Sequence, residues 1–172
     1  MMTVSRRLPL IVMGLALAGV SSAAAAADAE SSVPAPSAFV KMAAQAGMTE
    51  VEAGKVALSK SKDPEIRSFA QRMVNDHGSA NLELASLAKA KGIDTPRKLD
   101  AEHQAVIDAL RAKSGADFDS AYSQHMNMDH DKAIALFEGA SKSTDPEFAG
   151  FARKTLPKLQ EHKQLASQLP VH

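Results

Sequence analysis

The feature that most constrains the fold is a repeated stretch of sequence. The segment SKSKDPEIRSFA at 59–70 recurs in the related form SKSTDPEFAGFA at 141–152, an offset of 82 residues. In each copy, Asp-Pro-Glu supplies a helix N-cap, a proline at the first helical position and an acid in the first turn. The repeat predicts a duplicated helical hairpin, and two such hairpins joined by a long connection form a four-helix bundle.

The other helix signals fit this plan, and no segment of the sequence alternates like a strand. Glycine stops and proline starts predict the following helices: 37–60, 64–91, 97–113, 116–142 and 146–169. The short third helix falls in the connection at 92–115. The predicted fold class is therefore all-α, a four-helix bundle built from two helical hairpins with a short extra helix in the long connection.

Residues 1–27 have the organisation of an export signal. Arg6 and Arg7 form a basic start, an apolar run follows over 8–20, and small residues lead to a cleavage site after Ala27. The apolar run is too short for a confident membrane span, and no later run approaches one. We therefore expect a cleaved signal peptide, a periplasmic location and no stable span in the mature chain. The Arg6-Arg7 pair also permits the twin-arginine route beside the general one.

The composition after the cleavage site indicates one globular domain. Residues 28–36 are small, polar and proline-containing, which predicts a flexible linker, and 37–169 form the bundle domain. Without residues 1–27 the chain carries 18 basic and 20 acidic residues. That balance argues against a nucleic-acid partner, because phosphate binding needs a clustered basic surface. The chain has no cysteine, so neither disulfides nor thiolate ligands enter the argument, and no feature names a protein partner.

Three histidines interrupt the apolar stripes of the predicted helices. His77, His130 and His162 lie in the middle of three long helices, and Glu50 holds the corresponding position on the first. The stripe of the second helix, for example, contains Ile66, Ala70, Met73, His77, Ala80, Leu84 and Leu87. A buried imidazole requires a hydrogen-bond partner or a metal. Since the mid-points of packed helices meet at one level, the four residues predict a shared polar site.

Two interpretations of that site stay open from the residues alone. One is a metal site in which His77, His130 and His162 bind one divalent ion, with Glu50 as a fourth ligand or supporting acceptor. Zinc, iron, manganese and copper all accept such ligands. The other is a metal-free hydrogen-bonded network. At the metal site Tyr122 and Asp129 are expected to support the ligands from behind, and in the network Tyr122 and waters are expected to complete the hydrogen bonds.

A second histidine-rich segment lies within the fourth predicted helix. Its residues His125, Met126, Met128 and His130 offer imidazole and thioether groups that suit copper. The simpler expectation places Met126 in the core, with His125 and Met128 on the surface.

Several motifs together resemble an exported bacterial family. FAQRMVNDH at 69–77, FDSAY at 118–122 and FARKTLPKLQEH at 151–162 are similar to those of domain of unknown function 4142, DUF4142. The resemblance covers 37–169. It implies a distant relationship to the ferritin-like superfamily, recurrent polar positions at Glu50, His77, His130 and His162, and a loose link to envelope or stress functions.

The sequence departs from di-iron ferritin-like proteins at two positions. Those proteins carry Glu-x-x-His on two helices, whereas Val74 and Leu159 stand three residues before His77 and His162. A single-metal or metal-free site therefore fits better than a di-iron site. The main functional hypothesis is a stress-related metal-binding protein. Its alternatives are a metal-dependent oxidoreductase or peroxide-handling enzyme, and a metal-free structural or interaction module.

Overall fold

The computed structural model describes residues 33–171, and these form a bundle of five α-helices without a strand. The helices are α1 Pro36–Lys60, α2 Pro64–Ala90, α3 Ala101–Arg111, α4 Gly115–Ala140 and α5 Pro146–Ala166. The predicted all-α fold class is confirmed. The predicted signal peptide at 1–27 and most of the linker at 28–36 lie outside the described residues. Within residues 33–171, no helix combines the length and the apolar character that crossing a membrane requires.

The repeated segments build the same helix start twice. The Asp63 carboxylate accepts hydrogen bonds from the backbone N–H of Glu65 (2.8 Å) and Ile66 (3.0 Å) at the start of α2. Asp145 does the same at the start of α5, where the donors are the N–H groups of Glu147 (3.0 Å) and Phe148 (3.3 Å). Each cap satisfies two backbone donors that a helix start leaves without a partner. The duplicated turn chemistry read from the sequence is therefore present in the structure.

The helices pack as two hairpins, α1 with α2 and α4 with α5, and α1 also contacts α4 while α2 contacts α5. The core divides into two apolar clusters along the bundle. One contains residues near the α1–α2 turn, such as Met73, Phe118 and Tyr122. The other contains Phe39, Phe137 and residues near the start of α5. On each long helix a polar residue falls between its two apolar segments.

The short third helix begins at Ala101, so the predicted start at residue 97 was wrong. Asp100 caps the helix by accepting from the N–H of His103 at 3.0 Å. The segment before it is held in a non-helical form by the buried Gln45 of α1. The Gln45 amide donates to the Lys98 carbonyl and accepts from the Asp100 N–H, both at 3.1 Å. Helices α4 and α5 also end earlier than residues 142 and 169.

Candidate metal centre

The three predicted histidines lie side by side in the bundle interior. The ring centroids of His77 and His130 are 5.6 Å apart, those of His77 and His162 5.3 Å, and those of His130 and His162 5.5 Å. One ligand atom from each residue lies within 4.8 Å of the other two. His77 is 9% exposed, and His130 and His162 are each 1% exposed. We call these three residues the histidine cluster.

Two of the rings are oriented by fixed acceptors. The Nδ1–H of His130 donates to the carbonyl of Met126 at 2.8 Å. The Nε2–H of His162 donates to the Asp76 carboxylate at 2.8 Å, and Lys158 lies 3.6 Å from the same oxygen. Each contact assigns the ring proton and leaves the opposite nitrogen with a lone pair. Within residues 33–171, Nε2 of His77, Nε2 of His130 and Nδ1 of His162 are buried and have no hydrogen-bond partner. We call these atoms the remaining nitrogens.

The surroundings keep the rings neutral. Burial lowers the pKa of His77 well below its ordinary value, and the neighbouring rings of His130 and His162 lower it further. Burial is also the main cause that lowers the pKa of His130 to about 4. The pKa of His162 is lowered by burial as well, although its hydrogen bond to Asp76 opposes the change. Neutral imidazole is the form that binds metal ions.

Glu50 lines the same cavity as the histidine cluster, but its carboxylate lies closer to a different group of residues. Ligand atoms of Glu50, His125 and Asp129 lie within 4.8 Å of one another. Burial raises the pKa of Glu50 well above its ordinary value, and the nearby charge of Asp129 raises the pKa further. We call these three residues the carboxylate cluster. Of the two residues expected behind the histidines, Asp129 therefore belongs to this neighbouring cluster.

Tyr122, the other expected supporting residue, is fully buried in the apolar core next to the site. Among the described residues its hydroxyl has no hydrogen-bond partner. Burial raises the pKa of Tyr122 well above its ordinary value, and the charge of Glu50 contributes to the same shift. The hydroxyl thus lies in the field of the carboxylate cluster.

The histidine–methionine segment divides between different faces of α4. Met126 is fully buried in the core and Met128 is 58% exposed, as expected. His125 was expected on the surface, and this was wrong: its ring is half-buried. Because the two thioethers point to different surroundings, the segment does not form one copper site.

Sequence reasoning missed the residues that orient the rings. The sequence pattern predicted no role for Asp76, yet its carboxylate on α2 accepts a hydrogen bond from His162 on α5. The sequence did contain a signal for this contact. Residues next to each other on a helix point in different directions, so the residue before His77 on α2 can face another helix, and α2 contacts α5. The Met126 carbonyl gave no signal in the side-chain pattern, because any residue supplies a carbonyl.

A cavity of about 40 Å³ adjoins the histidine cluster. Its lining is mainly small and apolar on α1 and α2, with Ala43, Gly47 and Leu84 among the lining residues. Glu50 also lines it. A cavity of this size holds a water or another ligand of one or two heavy atoms.

The geometry defines an all-α helical bundle with three neutral, buried imidazoles gathered from three helices. Comparison with protein families shows which bundle this is: residues 20–169 match the model of "Domain of unknown function (DUF4142)", and the chain belongs to that family. The membership expected from the motifs is confirmed.

A similar solved structure shows the same fold. The crystal structure of a DUF305 fragment from Deinococcus radiodurans aligns with a TM-score of 0.70 and 15% sequence identity. The alignment covers 80% of this chain and 95% of that chain. At this identity the likeness concerns the helical bundle alone. No curated protein matches the chain significantly.

Proposed function

We propose that this chain is an exported metal-binding protein of the bacterial envelope, and that the histidine cluster holds one divalent transition metal ion. The observation that carries the proposal is the set of three buried rings whose ligand atoms lie within 4.8 Å of one another. Leaving three polar ring nitrogens buried without partners costs stability, and a shared metal ion would satisfy all three. The export signal predicted at 1–27 supports the location in the envelope.

The contacts behind the rings are those that a metal site requires. A histidine ligand usually donates its other ring N–H to a carboxylate or a carbonyl, which fixes the ring and makes the ligand nitrogen more basic. His162 has the Asp76 carboxylate in this role, and His130 has the Met126 carbonyl. Because burial lowers the pKa of all three rings, protons compete little for the remaining nitrogens at neutral pH.

The three ligand atoms narrow the choice of metal ion. Three imidazole nitrogens without sulfur suit zinc and copper(II) best among the divalent ions, with iron and manganese as weaker fits. Metal–nitrogen bonds are about 2.0–2.1 Å long, so the rings close on an ion through small side-chain movements. Glu50 and Asp129 line the cavity beside the cluster.

A metal-dependent oxidoreductase is the second candidate, and the adjoining cavity favours it. Three protein ligands leave a coordination position for water or substrate. The cavity of about 40 Å³ provides room for a small ligand at that position.

Thermal unfolding tests the proposed site. At pH 7 the melting temperature of the wild-type protein should rise on addition of zinc or copper(II), since an ion that binds only the folded state stabilises it by about 2.7 kcal/mol at 100 times its Kd. The double variant His77→Ala/His162→Ala should lose this gain. The matched control is His103→Ala, which removes an imidazole that pairs with Asp100 on α3, far from the cluster in sequence.

The outcomes separate the candidate functions. Stoichiometric zinc in protein purified from the periplasm supports a binding protein, and stoichiometric iron or copper supports the oxidoreductase. A wild-type protein whose melting temperature ignores every metal contradicts the proposal and favours a metal-free module. A full zinc response in the double variant would show that the histidine cluster is not the zinc site.

A further inference from the structure

The carboxylate cluster is a second group of potential ligands beside the first. Its members come from two packed helices, Glu50 from α1 and both His125 and Asp129 from α4. Since His125 and Asp129 are four residues apart, they lie on one face of α4. One ligand atom from each of the three residues lies within 4.8 Å of the others. The carboxylate cluster shares no residue with the histidine cluster.

Two side chains of the carboxylate cluster, Glu50 and His125, have buried polar atoms without a hydrogen-bond partner among the described residues. Glu50 is 2% exposed, and both of its carboxylate oxygens lack a donor within residues 33–171. The Nε2 atom of His125 is likewise buried without a partner in the described part of the chain. A carboxylate in such a place is costly unless something neutralises it or bonds to it.

A proton satisfies only part of this cluster. A proton on Glu50 would allow its carboxyl group to donate to Asp129, and the two acidic groups would then share a single negative charge. The second oxygen of Glu50 and the Nε2 atom of His125 would still lack partners. A divalent cation would satisfy both carboxylates and the imidazole together, and its charge of +2 would balance the two carboxylates.

We propose that Glu50, His125 and Asp129 bind a second divalent cation, next to the histidine cluster and distinct from it. Two carboxylates and one imidazole form a harder ligand set than three imidazoles, so this site should bind manganese(II) more readily than the histidine cluster does. Both clusters contribute residues to one cavity lining, namely Glu50 and Asp129 from one and the three histidines from the other. The molecule thus holds a harder and a softer site side by side.

Titration of the full chain with manganese(II) alone tests the second site, with the electron paramagnetic resonance signal of free manganese(II) as the readout. Wild-type protein should remove one equivalent of the ion from solution. The variant Glu50→Gln/Asp129→Asn should weaken this binding by more than about 100-fold, because even the loss of a supporting partner costs 10–100-fold. Both substitutions keep the side-chain size and remove buried charge, and circular dichroism verifies that the variant folds.

Matched variants make the assignment specific. The control Glu52→Gln/Asp131→Asn makes the same chemical changes two residues further along α1 and α4, at side chains that form surface pairs with Lys55 and Lys163. It should bind manganese(II) like the wild type. The variant His77→Ala/His162→Ala should also keep manganese(II) binding, even though it loses the zinc response.

The two sites can therefore fail separately. A wild-type protein that binds no manganese(II), or a Glu50→Gln/Asp129→Asn variant that binds it normally, overturns the second site. Loss of manganese(II) binding in His77→Ala/His162→Ala would also overturn a distinct site, since the ion would then depend on the histidine cluster.

Discussion

His130 and His162 are oriented through different ring nitrogens. His130 donates its Nδ1–H and His162 donates its Nε2–H, each to a fixed acceptor. In His130 the acceptor is a carbonyl one turn earlier on the same helix, and in His162 it is the Asp76 carboxylate on another helix. The first contact depends only on helix geometry. The second depends on the packing of α2 against α5, so the orientation of the His162 ring depends on the relative position of these two helices.

Asp76→Ala should weaken metal binding at the histidine cluster without removing a proposed ligand. We expect a 10–100-fold loss of zinc affinity, measured by calorimetric titration, since the carboxylate fixes the tautomer of His162 and raises its basicity. Nitrogen-15 NMR should show that the proton of His162 leaves Nε2 for part of the molecules. Asp131→Ala, which removes a carboxylate paired with Lys163 on the surface, is the control. Equal zinc affinities in the two variants would refute the supporting role of Asp76.

The placement of the histidine rings could be predicted from the sequence, but the contacts around them could not. The apolar stripe has a strict helical period, so a polar residue within it must face the interior, and this places His77, His130, His162 and Glu50. Which side chains pair depends on the rotation of each helix about its axis. A stripe fixes that rotation only roughly, which is why Asp76 was missed and His125 was expected on the surface.

At the scale of the helix, the sequence repeat builds the scaffold and not the site. The caps at Asp63 and Asp145 are equivalent under the offset of 82 residues. Under the same offset His77 corresponds to Leu159, and His162 corresponds to Ala80. The histidine cluster thus breaks the symmetry of the duplicated hairpins. Asp100 is a local signal for the start of α3, while Gln45, more than fifty residues away, holds the preceding segment in a non-helical form that local rules do not predict.

Gly54 lies where α1 closely approaches the backbone of α2. A Cβ atom added there would lie 2.9 Å from the carbonyl oxygen of Ala70 and 2.9 Å from Cγ2 of Val74. We therefore expect Gly54→Ala to lower the free energy of unfolding by about 1–3 kcal/mol, since backbone atoms cannot move aside cheaply. Chemical denaturation monitored by circular dichroism measures the change.

Gly150 of α5 provides the matched comparison. A Cβ atom added there meets nothing within 4 Å among the described residues. Alanine favours a helix over glycine by about 1 kcal/mol, so Gly150→Ala should stabilise the protein. The same substitution should thus have opposite signs at the two positions. A stabilising Gly54→Ala would show that the helices are not in close contact there.

At the scale of the whole molecule, a polar layer lies between two apolar clusters. Each long helix contributes to both clusters and carries its polar residue between them, as α2 does with Met73, His77 and Leu84. The layer therefore belongs to the same cooperative core as the apolar residues. Any change in its protonation should change the stability of the entire bundle instead of a local segment.

The metal-free protein should lose stability as the pH falls from about 6.5 towards 4. Burial lowers the folded-state pKa of the clustered histidines, to about 4 for His130. The unfolded chain, with a histidine pKa of about 6.5, then binds more protons than the folded chain throughout this range. The free energy of unfolding therefore decreases with falling pH, and His130 alone accounts for about 3 kcal/mol. Urea denaturation at a series of pH values measures the slope.

Glu50 acts with the opposite sign, which makes the pH dependence testable residue by residue. Its folded-state pKa is raised by burial and by Asp129, so its protonation favours the folded state as the pH falls through that value. Glu50→Gln removes this opposing contribution and should make the loss of stability steeper. Glu52→Gln, at a surface position of the same helix, should leave the slope unchanged. Identical slopes in wild type and Glu50→Gln would mean that Glu50 takes up no proton on folding.

Bound zinc, which needs neutral imidazoles, should stabilise the protein at pH 7 and progressively less towards pH 5, because protons then compete for the same nitrogens.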